Sequence, residues 1–405
     1  MSQPADETRP GEPADPARVP PSGPPAQPPP VPPQPTYPQQ AYPQQVNPPS
    51  AYMPPAYAQP AQPPGPPPPP TMRDLLAVNM VWEGILLVIT VGLVIVTLTS
   101  APVVHLDGII SPLGYSGLVA AGLALSLRTG TPNLAVGNIA GFAGVVFAHL
   151  ATDDRWSWWA ATIAVVAISA VIGLITGLIV AVLSVPAWAV TIAATILIQS
   201  AALGISSSTP VPLHLTGPYP TTLWVTAFAV ISIGGGALWL VPALRTALSA
   251  TRSAGEPGRW AGLPAGLGAV VGLTGSSALA GAAGVSLAIY SGVGDPEGGG
   301  INLTLIALAA VLIGGVSIFG RRAGIFGTAL GILLVQTVLF LLNLHAVSIS
   351  WVEVPIGGLA LLGLGVSRGI ESISDALRPQ VNPGPVPPAG PGAAGPVSPP
   401  SPTPR

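Results

Sequence analysis

Cysteine is absent from the 405 residues, which excludes disulfides and thiolate metal ligands and leaves the redox compartment unmarked. Lysine is absent as well, all 13 basic residues being arginine. No Walker A phosphate loop, Schiff-base lysine or Ser–Lys dyad can therefore exist in this chain. Charge of either sign is scarce. Only 7% of residues are charged, against roughly a quarter in soluble domains. With a mean hydropathy of +0.62, this composition implies an integral membrane protein. The net charge of −2 gives no electrostatic handle on nucleic acid, and no metal or cofactor is expected.

Proline, by contrast, is abundant, and 28 of the 52 prolines fall in residues 1–70. The composition divides the chain into an N-terminal proline-rich tail (1–73), an apolar body (74–370) and a C-terminal proline-rich tail (371–405). The tails have too little apolar surface to fold and are expected to be disordered, sampling extended polyproline geometry. Residues 1–70 are too long, too acidic and too poor in apolar runs to be a signal peptide.

A bilayer is spanned by about 20 apolar residues, and ten such runs can be cut from the body. They lie near 82–101, 108–127, 134–151, 158–183, 187–206, 222–242, 264–290, 303–319, 325–343 and 351–368. The fold class expected is thus all-α and polytopic, with about ten transmembrane helices. Cytoplasmic loops carry the excess of arginine. With both termini inside, the cytoplasmic segments hold Arg9, Arg18, Arg73, Arg128, Arg245, Arg252, Arg259, Arg321, Arg322, Arg368, Arg378 and Arg405, leaving only Arg155 outside.

No run has an ionisable residue near its centre; Glu83, Glu353 and His149 lie near run ends. A charge at the bilayer centre costs roughly 2.5–3.5 kcal/mol on insertion scales and is retained for function. Its absence disfavours proton- or cation-coupled carriers, voltage sensors and carboxylate-pair enzymes. The polar residues inside the runs or at their ends are neutral, and Asn133, Asn138, Thr191, Gln199, Asn302, Thr304, Gln336 and Asn343 are the candidates for a solute path. Singly, each is accounted for by helix–helix hydrogen bonding; as a set, with no charge beside them, they suit a small polar uncharged solute. Glycines spaced four apart, at 137/141, 173/177, 268/272 and 327/331, permit close helix packing. The stretch 292–300, GVGDPEGGG, reads as a flexible outer loop.

Between two late runs, residues 314–331 read GGVSIFGRRAGIFGTALG. Its elbow, Gly320-Arg321-Arg322-Ala323-Gly324, places two arginines in water between two spans. Either it is an ordinary turn that sets topology or it is a cytoplasmic docking knob. Residues 308–331, LAAVLIGGVSIFGRRAGIFGTALG, resemble the signature A-A-V-V-L-G-G-x-S-L-x-G-G-x-G-x-x-x-G-T-x-x-G of permease subunits of ribose/xylose-type ABC importers. NLAVG at 133–137 resembles that family's D-L-S-V-G, with Asn133 in the acidic position. GLIVAVLSVPAWAVTIAAT at 177–195 and the helix at 273–285 are similar to two further segments, in the same order. The acidic pair common before the late signature falls at Thr304 and Ile306, and Arg321 replaces a glycine.

The resemblance implies a membrane permease without covalent chemistry of its own, multi-pass in the plasma membrane. Its implied partners are an ABC ATPase subunit, an extracytoplasmic solute-binding protein, a second permease subunit and membrane lipids. It also implies that Gly314, Gly315, Gly320, Arg321, Arg322 and Gly324 form the ATPase-coupling elbow, and that the solute is a monosaccharide. The alternatives are a secondary carrier or channel without ATPase partners, and a membrane scaffold acting through its proline-rich tails.

Overall fold

The computed structural model describes residues 72–100, 106–214, 221–248, 263–317 and 325–376. Most of the tail residues expected to be disordered, and the elbow residues 320–324, lie outside these. The architecture is helical: α1 (Met72–Ser100), α2 (Asp107–Ile110), α3 (Leu113–Arg128), α4 (Val136–Thr152), α5 (Trp158–Leu183), α6 (Ala187–Ile205), α7 (Thr221–Leu238), α8 (Pro242–Leu248), α9 (Leu263–Ser291), α10 (Gly300–Ile313), α11 (Gly327–Leu344) and α12 (Ile349–Ala376). Two short strands, β1 (Val211–Pro212) and β2 (Val293–Gly294), pair antiparallel.

Seven helical segments among the described residues are long and apolar enough to cross a membrane, counting α2 and α3 together as 107–128. Two further apolar helices among the described residues are shorter, Val136–Thr152 and Gly300–Ile313, and α12 contains the apolar stretch Val354–Ile370. The brevity of α4 and α10 has local causes. Helix α4 is preceded by the buried turn that follows Arg128, and α10 stops where Gly314 and the positive-φ Gly315 turn the chain.

Helix α9 sits at the centre, packed against α5, α3 and α4. Hydrocarbon side chains gain little by leaving lipid for one another, so such helices associate by close packing. Small residues provide it. A Cβ at Gly173 of α5 would overlap the carbonyl of Leu273, one at Gly177 would come within 2.9 Å of Val270 Cα, and one at Gly284 of α9 would overlap the carbonyl of Ala140. The expected packing role of the spaced glycines is therefore realised at 173/177. Outward-facing apolar residues such as Ile163, Val171, Ile175 and Val182 on α5 remain exposed, as lipid-facing side chains do. Trp156, Trp158 and Trp159 are exposed where α5 begins, a position suited to the membrane–water interface.

Two expectations need correction. The stretch 292–300, expected to be a flexible connector, is packed. Gly292 takes φ +74 and accepts a hydrogen bond from Leu213 N at 2.9 Å, Gly294 pairs with Val211, and Gly294, Pro296 and Gly299 are buried. Its glycines serve close approach: a Cβ on Gly299 would overlap the carbonyl of Gly137. Arg128, expected in a cytoplasmic loop, is instead the last residue of α3 and only 4% exposed. The turn that follows it folds into the protein, and Glu83 supplies an opposite charge close enough to attract it.

Candidate functional site: a neutral polar seam around helix α4

The link between α3 and α4 is a buried turn. Its backbone groups cannot reach water, so each needs a partner inside the protein. Gly130 takes φ +73, and Thr129 and Thr131 share a 2.8 Å hydroxyl–hydroxyl bond. Asn133, 1% exposed, serves three elements at once. Its Oδ1 accepts the Ala135 N–H at 3.1 Å, an Asx turn that launches α4. Its Nδ2 donates to Ser276 Oγ at 3.2 Å and Ser277 Oγ at 3.1 Å on α9, while its own N–H donates to Ser126 Oγ of α3 at 3.1 Å.

Thr191 of α6 completes the turn. Its hydroxyl accepts the Leu134 N–H at 3.1 Å and lies 3.2 Å from Pro132 O and 3.0 Å from Ala187 O, either of which can take its proton. Thr304 of α10 does the same for α4, accepting Gly137 N–H at 3.0 Å beside Gly300 O at 3.3 Å. At the next residue of α4, Asn138 Nδ2 donates to Gln199 Oε1 of α6 at 2.7 Å, and Gln199 Nε2 donates to Pro296 O at 3.2 Å. Asn138 is 4% exposed, and its Oδ1 is buried without a hydrogen-bond partner among the described residues.

Five of the eight candidates thus surround the first half of α4: Asn133, Asn138, Thr191, Gln199 and Thr304. Every side chain hydrogen-bonded into this seam is uncharged. The other three stand apart from it. Asn302 and Asn343 are exposed, and Gln336 is buried on α11. Ser126, Ser276 and Ser277 belong to the seam and were missed, because serines among alanines and glycines read simply as small packing residues. The signal was present in Asn133 itself, whose amide needs partners wherever it is buried.

A second polar cluster borders the elbow. Gly314 and Gly315, the two described members of the candidate coupling set, close α10, and Gly315 takes φ +78. The backbones of Gly314 and Gly327 meet so closely that a Cβ on either would overlap the other's carbonyl. A Cβ on Gly331 would likewise overlap the Ala310 carbonyl. Helix α1 approaches this junction with two consecutive side chains. Trp82 Nε1 donates to Ile313 O at 2.7 Å, and Glu83 Oε1 accepts the N–H groups of Phe326 at 3.0 Å and Gly327 at 2.9 Å. The sequence marked Glu83 only as an acid near a run end; nothing in its spacing connects it to residues more than two hundred positions away.

Similarity to known proteins fits this architecture. The family model described as the branched-chain amino acid transport system / permease component matches residues 105–362, more than half of the chain. The chain is also 24% identical over 280 residues to the inner membrane ABC transporter permease protein YjfF of Escherichia coli (strain K12), covering 65% of this chain and 83% of that protein. No solved structure matches the chain. The matched region contains the polar seam around α4 and both glycine-packed ends of the elbow, and it agrees with the resemblance read from residues 308–331. The chain belongs to this family of transport permease components, and is a multi-pass membrane subunit of an ABC transporter in the plasma membrane.

Proposed function

We propose that this chain is the permease subunit of an ATP-driven importer for a small neutral polar solute, a monosaccharide by the resemblance of residues 308–331. The observation that carries the solute class is the seam around α4, whose hydrogen-bonding side chains are all uncharged amides and hydroxyls. A solute hydroxyl can replace an amide partner at little net cost, since exchanging one hydrogen bond for another changes free energy by about 1 kcal/mol or less. A charged solute would need a countercharge in the path.

In the present structure the seam is closed on itself. Opening requires α4 to part from α6 and α10, breaking the Asn138–Gln199 bond. The free Asn138 Oδ1 is then the acceptor already in place for a solute hydroxyl. Asn302, Gln336 and Asn343 lie outside the seam, at points a solute would meet before or after it. Transport on this reading is alternating access. The force comes from a separate ATPase subunit acting on Gly314, Gly315, Gly320, Arg321, Arg322 and Gly324. A solute-binding protein delivers the sugar, and a second permease subunit completes the pore. Ten crossings with both termini in the cytoplasm, flanked by solvated proline-rich tails, are the corresponding topology; the seven long apolar helices and three shorter apolar segments among the described residues support it. Membership of the permease family speaks against the scaffold reading.

The test is reconstitution in proteoliposomes with the ATPase and binding protein that co-purify with the chain, using labelled D-ribose and D-xylose as probes. Uptake should require ATP. Asn138→Ala and Gln199→Ala should each lower kcat/KM for uptake by about tenfold, the equivalent of 1.4 kcal/mol, while leaving ATPase association intact. Uptake without ATP, with no ATPase co-purifying, would overturn the importer reading in favour of a carrier.

A further inference from the structure

Trp82 and Glu83 are adjacent on α1, yet they engage opposite sides of the elbow. Trp82 donates to the carbonyl of Ile313, the last residue of α10, and its ring lies beneath Gly315, where a Cβ would come within 3.1 Å of Trp82 Cδ1. Glu83, 6% exposed, places one carboxylate oxygen against two N–H groups at the start of α11. The first N–H groups of a helix have no partner within it and carry the positive end of its dipole, so a carboxylate there satisfies both needs. Burying that carboxylate is costly, and the two N–H bonds, with a smaller contribution from the charge of buried Arg128 at the end of α3, offset part of that cost.

The geometry points to Trp82 and Glu83 as positioning residues that fasten α1 to both ends of the coupling elbow, so that force on the elbow moves α1 together with α10 and α11. The inference rests on the importer reading above. Gly314 and Gly327 already hold the two ends of the elbow against each other through backbone contact. An isolated contact of that kind would let the elbow tilt as a unit while α1 stayed behind. The Trp82–Glu83 pair removes that freedom by holding α1 to both ends through hydrogen bonds, beside the apolar packing of Leu86 with Ile313 and Leu334.

The measurement is the number of ATP molecules hydrolysed per labelled D-ribose or D-xylose taken up by the reconstituted complex. If the wild-type complex shows no ATP-dependent uptake, the importer reading itself fails, whatever Glu83 does. Given a working wild type, Glu83→Leu should retain ATPase association. It should raise the ATP-to-sugar ratio at least about fivefold, the lower end of typical coupling between sites. Glu83→Gln keeps an acceptor oxygen for both N–H groups and should fall between wild type and Glu83→Leu. Trp82→Phe keeps the ring, loses the bond to Ile313 O, and should raise the ratio as well. The ratio does not depend on how much protein folds, so a merely structural loss leaves it unchanged. An unchanged ratio in an assembled Glu83→Leu complex overturns the inference. Should Glu83→Leu fail to assemble, the combined Trp82→Phe/Glu83→Gln variant decides, and an unchanged ratio there overturns it equally.

Discussion

At the scale of single residues, the protein is governed by where a methyl group fits. A Cβ at Gly137 would overlap the Gly300 carbonyl and approach Thr304 Oγ1 within 2.6 Å, whereas Gly92 on α1 has nothing within 4 Å. Overpacking a tight contact costs about 1–3 kcal/mol, while replacing an unconstrained helical glycine by alanine gains roughly 0.5–1 kcal/mol. Gly137→Ala should therefore lower the midpoint of thermal unfolding in detergent, and Gly92→Ala should hold or raise it. Equal midpoints for the two variants would show that α4 and α10 are not in backbone contact. Asn133 shows how much of the site the sequence disclosed at this scale. The resemblance placed it where relatives carry an acid, and the structure supplies the reason an amide serves. Ser276 and Ser277 present hydroxyls that accept from an amide or donate to a carboxylate, so the geometry accommodates either. What no spacing rule could disclose was which serines those would be, because they lie 143 and 144 residues away.

At the scale of elements, hydropathy located the helices well because length and apolar content are properties of a contiguous run. Of the ten runs expected, seven coincide with helices long and apolar enough to cross a membrane, and three with shorter apolar segments, among the described residues. Where the reading failed, tertiary contact had overridden a local signal. The run GVGDPEGGG has the composition of a flexible connector, but glycine is also the residue that lets one backbone touch another, and composition cannot distinguish the two uses. The structure chooses the second: Gly299 lies on the backbone of Gly137 and Gly141, and Pro296 O receives Gln199. Neighbouring positions in this stretch should differ sharply. Because the chain has no native cysteine, a single one can be introduced at buried Pro296 or at exposed Gly298. Gly298→Cys should react rapidly with a maleimide in detergent and Pro296→Cys slowly. Equal rates at both positions would restore the picture of a flexible loop.

At the scale of the whole molecule, the open question is which way the bundle faces. The arginine bias predicts an orientation from charge alone, since cytoplasmic flanks retain positive residues and outer ones do not. Arg128 drops out of that count because it is buried against Glu83's field rather than held in water, yet the asymmetry survives its removal. Of the two arginines in the elbow and the two at 252 and 259, none falls in a segment assigned outside, and Arg155 remains the outer exception. Asp153 and Asp154 share its exposed turn, which follows α4. Single cysteines at Ala323 in the elbow and Ser253 in the segment after α8 should therefore be shielded from a membrane-impermeant maleimide applied to intact cells. Asp154→Cys should label under the same conditions, and all three should label once the membrane is permeabilised. The elbow can receive an ATPase only if it faces the cytoplasm, so labelling of Ala323→Cys from outside would remove the docking role of Gly320–Gly324 and the ten-crossing topology together. Shielding of Ala323→Cys with labelling of Asp154→Cys would place an odd number of crossings between them, as the assignment of five spans from 158 to 319 requires.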